Sequence, residues 1–148
     1  MTTETIQFSV WSHCKAKKPV GEWNIQQLQD AIKTGAGDGV RTFKDTIHEL
    51  RKAKSKEEKK AIKDSRLPAV TISGTFDERN TKGLKEHSGL VQIDIDHHPN
   101  PVDLREKLAN DDYVALCFIS PSGNGVKAVV KVNPHPDTHL AQYNALAT

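Results

Sequence analysis

Gly89-Leu90-Val91-Gln92-Ile93-Asp94-Ile95-Asp96 is an apolar run that ends in alternation. A strand sends successive side chains to opposite faces, so Ile93 and Ile95 share one face and Asp94 and Asp96 share the other. Carboxylates at i and i+2 have Cα atoms roughly 6.5–7 Å apart. With their charges about 5 Å apart and an effective dielectric near 20, they repel by about 3 kcal/mol. A strand that sets them side by side is expected to receive a cation between them. Mg²⁺ suits such an oxygen site, because it is commonly held by one or two carboxylates plus substrate phosphates.

Working outward, the chain of 148 residues has the length of one domain, or of a large fragment of one. Hydrophobic residues make up 36% and charged residues 27%, with a formal net charge of +2. The mean hydropathy is −0.60. This is a globular balance, and the net charge alone does not declare a nucleic-acid binder. The cations are nevertheless unevenly spread, with a Lys-rich block between Arg41 and Arg66. Two cysteines, Cys14 and Cys117, make no disulfide framework, and Cys117 in a strand-like run reads as a small buried thiol. No apolar stretch is long enough to span a membrane, and Met1-Thr2-Thr3-Glu4 has neither the basic nor the apolar region of a signal peptide. A cytoplasmic location with no membrane partner is expected.

Ile6 to Trp11 alternates as a first strand. Gly21 to Lys33 carries Trp23, Ile25, Leu28 and Ile32 at helical spacing, with Asn24 as a candidate N-cap. Thr34 to Gly39 is a Gly-rich loop without the Gly-Lys-Ser/Thr ending of a phosphate-binding loop. Asp45 to Asp64 is helical, with a turn expected within Lys54–Lys60. Leu67 to Phe76 is a second strand, followed by polar loop residues to Glu86. Then come the strand Leu90–Asp96, a turn at His97–Pro101 and a helix from Val102 to Ala109. Tyr113–Ile119, almost continuously apolar, reads as a buried central strand. A tight connection at Pro121–Gly125, a strand Val126–Val132 and a helix from Pro136 through Tyr143 and Leu146 complete the chain.

The expected fold class is therefore α+β. Its second half is a ferredoxin-like or RNA-recognition-like split β-α-β-β-α core short of its last strand, with a helical N-terminal segment packed on the sheet. Residues 1–148 form one domain or a truncated N-terminal domain, with 1–66 as the strand and helical segment and 67–148 as the core. The chain stops inside an unfinished helix at Ala147-Thr148, which reads as a fragment of a longer protein.

In that topology the first and third strands of the core are neighbours. Asp94 and Asp96 can then meet Ser122, Gly123, Asn124, Gly125 and Lys127, about 30 residues further on. A Gly-Asn-Gly turn allows close backbone approach to a ligand, and a lysine supplies a point charge for a phosphate oxygen. Carboxylates holding metal beside such a loop form a candidate nucleotide site, and two metals would serve both oxygens of a phosphoryl transfer.

Three stretches carry a family resemblance: Leu67-Pro68-Ala69-Val70-Thr71-Ile72-Ser73-Gly74-Thr75-Phe76, Ser88-Gly89-Leu90 leading to Asp94-Ile95-Asp96, and Ser120-Pro121-Ser122-Gly123-Asn124-Gly125-Val126-Lys127. Together they resemble the VirE N-terminal domain family, which is similar to the catalytic module of the archaeo-eukaryotic primase (primase-polymerase) superfamily. The resemblance implies a nucleotidyltransferase of a mobile-element or phage-type replication protein, working in DNA replication with nucleotide triphosphates and a DNA or RNA template. It implies a C-terminal helicase or VirE-type ATPase domain in the parent protein. Asp94 and Asp96 would be the catalytic pair holding Mg²⁺ or Mn²⁺. Ser122, Gly123, Asn124 and Gly125 would shape the nucleotide pocket, with Lys127 gripping the triphosphate. Lys127 stands where many relatives carry a histidine, and the superfamily's third acidic residue would fall beyond Thr148.

Other readings stand beside these. The two aspartates can be solvated strand-end residues, Ser122–Gly125 a plain hairpin turn, and Lys127 an exposed strand residue. The lysine run, with Arg51, Lys52, Lys59, Lys60 and Lys63 as candidates for template contact, is otherwise a solvated face. His97 and His98 read as turn residues rather than zinc ligands, and neither His13-Cys14 nor His135 with His139 gives a metal-ligand pattern. Trp11 and Trp23 read as core. A non-catalytic nucleic-acid-binding module serving a helicase, or a metal-dependent nuclease, are the alternative functions.

Overall fold

Asn24 ends one element and starts the next. In the computed structural model, which describes residues 6–132, its side chain accepts from the Gln27 N–H at 2.9 Å. The Gln27 side chain accepts from the Asn24 N–H, also at 2.9 Å. This reciprocal cap satisfies two of the donors a helix start leaves unpaired, and it opens α1 (Ile25–Thr34). Gly35 closes α1 in the left-handed region, with φ at 75°. Ile25, Leu28 and Ala31 form its buried stripe. The expected helix from Gly21 is corrected here: Gly21–Trp23 is a strand, β2, antiparallel to β1 (Phe8–Trp11), with Phe8 opposite Trp23. Trp23 joins the core, as expected, but from a strand.

The lysine-rich region forms α2 (Lys44–Lys52) and α3 (Lys56–Arg66). The break lies at Ala53–Ser55, so it overlaps the expected turn at Lys54 and Ser55 and is shorter than it. Ser55 accepts from the Glu58 N–H at 3.1 Å, and Glu57 and Glu58 sit in the first turn, where the helix dipole favours carboxylates. Lys56–Lys60 is therefore helical. Leu50 from α2 is fully buried, and Ile62 from α3 is buried to 8% exposure.

The expected strand Leu67–Phe76 is two strands in two sheets. β3 (Ala69–Thr71) pairs with β1, while β4 (Gly74–Phe76) pairs with β5 (Leu84–His87). Ser88 holds the corner between them: its hydroxyl donates to the Ile72 carbonyl at 2.5 Å and its amide to the Ser73 carbonyl at 2.8 Å. The segment read as polar loop to Glu86 contains β5 and a short 3-10 turn, Thr81–Gly83.

The remaining elements are β6 (Leu90–Ile95), α4 (Pro101–Ala109), β7 (Val114–Ile119) and β8 (Val126–Lys131). The architecture is mixed α+β: the described residues form four α-helices and three small antiparallel sheets ordered β2-β1-β3, β4-β5 and β6-β8-β7. β8 lies between β6 and β7 and is antiparallel to both, so β6 and β7 run parallel with α4 connecting them. This corrects the reading of Tyr113–Ile119 as the central strand. β7 is an edge strand, half-buried along its length, whereas Val126, Ala128, Val129 and Val130 of β8 are buried. Cys117 is correspondingly half-buried rather than fully enclosed. The helix expected from Pro136 and the histidines His135 and His139 lie outside the described residues.

Phe8, Val10, Trp23, Leu28, Leu90 and Val129 belong to one core shared by the first sheet, α1 and one face of the third sheet. Burying such side chains stabilises by about 1.5–3 kcal/mol each. By the two-residue period, Gln92 and Asp94 follow Leu90 on that face, and Lys127 precedes Val129. The face that is apolar at Leu90 and Val129 thus turns polar one step along the strands. No helix among the described residues is long and apolar enough to cross a membrane.

Candidate functional site

Register brings Asp94 opposite Lys127, and Lys127 opposite Phe118. Lys127 Nζ stands 3.2 Å from Asp94 Oδ1, and Gln92 Nε2 donates to the same oxygen at 2.7 Å. Asp94 Oδ2 has no partner among the described residues. The Lys127 side chain is 25% exposed and that of Asp94 43%, so their ion pair is partly solvated and contributes no more than about 1 kcal/mol. Asp96 follows the end of β6, is exposed, and makes no hydrogen bond or ion pair among the described residues.

The chain then turns sharply, with His97 at φ 55°. The His98 amide donates to the Asn124 carbonyl at 3.1 Å, and the Asn124 side-chain amide lies 3.4 Å from His97 Nδ1. His98 Nδ1 accepts from the Asn100 N–H at 3.0 Å, and Asn100 caps α4 by accepting from the Asp103 N–H at 3.2 Å. Both histidines are thus engaged in the turn. Residues 97–100 are tied at once to the loop from Ser120 to Gly125 and to the start of α4.

The loop is built around Ser120, which is buried to 4% exposure. Its amide donates to the Gly125 carbonyl at 2.9 Å, its hydroxyl accepts from the Gly125 N–H at 3.1 Å, and its carbonyl accepts from the Gly123 N–H at 2.9 Å. The Ser122 hydroxyl donates to Asn124 Oδ1 at 2.8 Å. Gly123 has φ 87°, a conformation that favours glycine. Gly125 permits a close approach: a Cβ there would overlap the Ile95 carbonyl oxygen and stand 3.2 Å from Asp96 Cα. Ser122, Gly123, Asn124, Gly125 and Lys127 therefore gather beside the end of the strand that carries Asp94 and Asp96.

A cleft of about 300 Å³ opens beside this group. Gln92, Lys127 and Arg51 are its polar lining, and Trp23, Phe43 and Phe118 are among its apolar walls. Arg51 arrives from α2, and its Nε donates to the Pro121 carbonyl at 3.2 Å. The other cations flagged for template contact do not join it. Lys52 is exposed at the end of α2, Lys59 and Lys63 lie half-buried along α3, and Lys60 pairs with Asp64. Gln92 was missed, although its position two residues before Asp94 puts it on the carboxylate face.

Asp94 and Asp96 are the carboxylates here that could hold a divalent ion. Three carboxylate oxygens are free of described partners, and among the described residues no group of three His, Cys, Asp or Glu side chains could hold a metal. That donor set suits Mg²⁺ or Mn²⁺ completed by substrate phosphates and water, not a self-sufficient protein cage.

No curated protein and no solved structure matches the chain significantly. The family described as BT4734-like, N-terminal domain, matches residues 61–147, which is more than half of the chain and runs from within α3 past β8. On that match, the chain belongs to the BT4734-like N-terminal domain family.

Proposed function

We propose that the chain is a metal-dependent nucleotide-binding module of primase-polymerase type, serving nucleotidyl transfer to a DNA or RNA strand in a mobile-element or phage-type replication protein. The observation that carries this reading is the Asp94–Lys127 pair across β6 and β8, with the Ser120–Gly125 loop packed on Ile95 and Asp96. The likeness to VirE N-terminal domains and primase-polymerases adds the reaction class to that geometry.

When bound, a divalent ion would neutralise charge on the triphosphate and on the attacking oxygen. Asp94 Oδ2 and the Asp96 carboxylate would hold it. Lys127, paired with Asp94 Oδ1, would offer its ammonium to a phosphate oxygen. Gly125, by seating the loop on Ile95, would keep Ser122, Gly123 and Asn124 beside the aspartates, and the aromatic side of the cleft, Phe43 and Phe118, would face the base. The test is incorporation of labelled nucleotides onto a primed template with Mn²⁺. Incorporation that disappears in Asp94→Asn supports the reading, and incorporation indifferent to that change removes it.

The second reading is a non-catalytic nucleic-acid-binding module attached to a helicase or VirE-type ATPase. It is favoured by one observation, the lack of a third metal-ligating side chain among the described residues. Nucleic-acid binding in EDTA with no incorporation under Mn²⁺ would select it.

A further inference from the structure

Cys14 Sγ donates to Asp64 Oδ1 at 2.9 Å, which joins the loop after β1 to α3, 50 residues away in sequence. That contact brings together two basic stretches that are separate in the chain. On α3, Lys56 and Lys60 stand four residues apart and so share a face with Asp64. On the loop side, Lys15, Lys17, Lys18 and Arg79 line a concavity of about 390 Å³, in which Glu78 is the one carboxylate. Glu78 pairs with Lys18 at 2.9 Å, and Lys60 pairs with Asp64. The ammonium groups of Lys15 and Lys17 have no hydrogen-bond or ion-pair partner among the described residues, and both residues are exposed.

Arg79 forms a fixed wall of this concavity. Its Nη1 donates to the Cys14 carbonyl, and its guanidinium stands 5.6 Å from the centroid of the Trp11 ring. Trp11 is fully buried, and its Nε1 donates to Thr71 Oγ1 at 3.1 Å. A guanidinium held over an anchored ring is pre-positioned rather than free to swing.

We propose that this concavity, continued by Lys56 and Lys60 on α3, binds the phosphate backbone of a nucleic-acid strand. A single small anion would need only Arg79 and one lysine. Cations on both the loop and the helix, of which Lys15, Lys17 and Lys56 make no ion pair among the described residues, instead form a track, and a track suits a chain of phosphates. The contact is with phosphates alone, so it positions a strand without reading its sequence. The inference does not rest on metal or nucleotide binding at Asp94 and Asp96.

The test measures fluorescence anisotropy of a labelled 20-nucleotide oligothymidylate in EDTA, across a range of NaCl concentrations, so that a failure of the Asp94 site cannot affect the result. For single strands each phosphate contact contributes a slope of about −0.7 in log affinity against log salt. Lys15→Ala with Lys17→Ala should flatten the slope by about 1.4 and weaken binding at 0.1 M salt by about 25-fold. Lys33→Ala with Lys107→Ala removes equal charge from α1 and α4 and should change affinity by less than about threefold. An unchanged affinity for the Lys15/Lys17 variant overturns the proposal, as does an equal loss in both double variants. Competition by inorganic phosphate with no slope difference between wild type and the Lys15/Lys17 variant assigns the site to a free anion and also overturns it.

Discussion

Gly125→Ala is expected to separate the loop from the aspartate strand. The added methyl would overlap the Ile95 carbonyl oxygen, with Ile95 C at 3.3 Å and Asp96 Cα at 3.2 Å. All three are backbone atoms, two of them in the paired strand β6 and one just after it, so none can rotate away. Relief requires moving the loop, which stretches the His98-to-Asn124 hydrogen bond of 3.1 Å. Overpacking of this kind costs about 1–3 kcal/mol, and a weakened hydrogen bond adds about 0.5–1.5 kcal/mol. The stiffer unfolded chain returns about 0.4–1 kcal/mol, leaving a net loss of about 2 kcal/mol. In urea, with m of about 1–3 kcal/mol/M, the midpoint should fall by about 1 M, and Tm should fall by about 4–8 °C. Gly123→Ala is the comparison. Its φ of 87° makes alanine strained by about 1–2 kcal/mol, but the nearest atom, Arg51 Nε, is an ordinary 3.5 Å away. Amide chemical shifts of Ile95–His98 should therefore move in Gly125→Ala and stay in Gly123→Ala. A midpoint unchanged within about 0.3 M, or shifts confined to the loop, would refute the close approach.

Lys127→Met keeps the stem and removes the charge. Stability should change by less than about 1 kcal/mol, because the ion pair is partly solvated, while calorimetric affinity for a nucleoside triphosphate with Mn²⁺ should fall about 10- to 100-fold. Ser9→Ala should cost about 1–3 kcal/mol in urea unfolding, because the buried Ser9 hydroxyl accepts from the Phe76 N–H at 2.8 Å and would leave that donor unpaired. Asp64 is held below the usual carboxylate range by the Cys14 thiol hydrogen bond and by Lys60. Its stabilisation is then present above the ordinary aspartate pKa and lost as pH falls through the lower folded value. The gap in urea midpoint between wild type and Asp64→Asn should be full at pH 5 and shrink below pH of about 3; a gap constant across that range would contradict the assignment.

The third sheet was legible because each of its strands carries a local signal. Leu90–Ile95 alternates, Val102, Leu104 and Leu108 mark α4 although Asn100 and Pro101 read as turn, and Gly123 and Gly125 mark the hairpin between β7 and β8. The proximity of Asp94 and Lys127 followed from strand order alone. Partner choice was not legible. From Val70 to Phe76 the run alternates between apolar residues and Thr71, Ser73 and Thr75, so its strand period continues across the corner at Ile72–Ser73 where it changes sheets. Leu84-Lys85-Glu86-His87 is a solvated edge strand without apolar alternation, so nothing in it reads as a strand. β7 looked central because it is more apolar than β8, yet burial follows from having neighbours on both edges, which only the tertiary arrangement supplies. Arg51 looked like one cation in a basic block. Its hydrogen bond to Pro121 and the meeting of Cys14 with Asp64 join residues 70 and 50 positions apart, and no local pattern encodes either.

The central claim is that Asp94 and Asp96 hold a divalent ion that a nucleotide completes. Electron paramagnetic resonance of Mn²⁺, titrated into the protein with and without a nucleoside triphosphate, measures this directly. The account predicts weak Mn²⁺ binding alone, tighter binding with the triphosphate present, and loss of both in Asp94→Asn with Asp96→Asn while the urea midpoint is kept or raised. Mn²⁺ binding that is the same in the double variant, or that does not respond to the nucleotide, would contradict it.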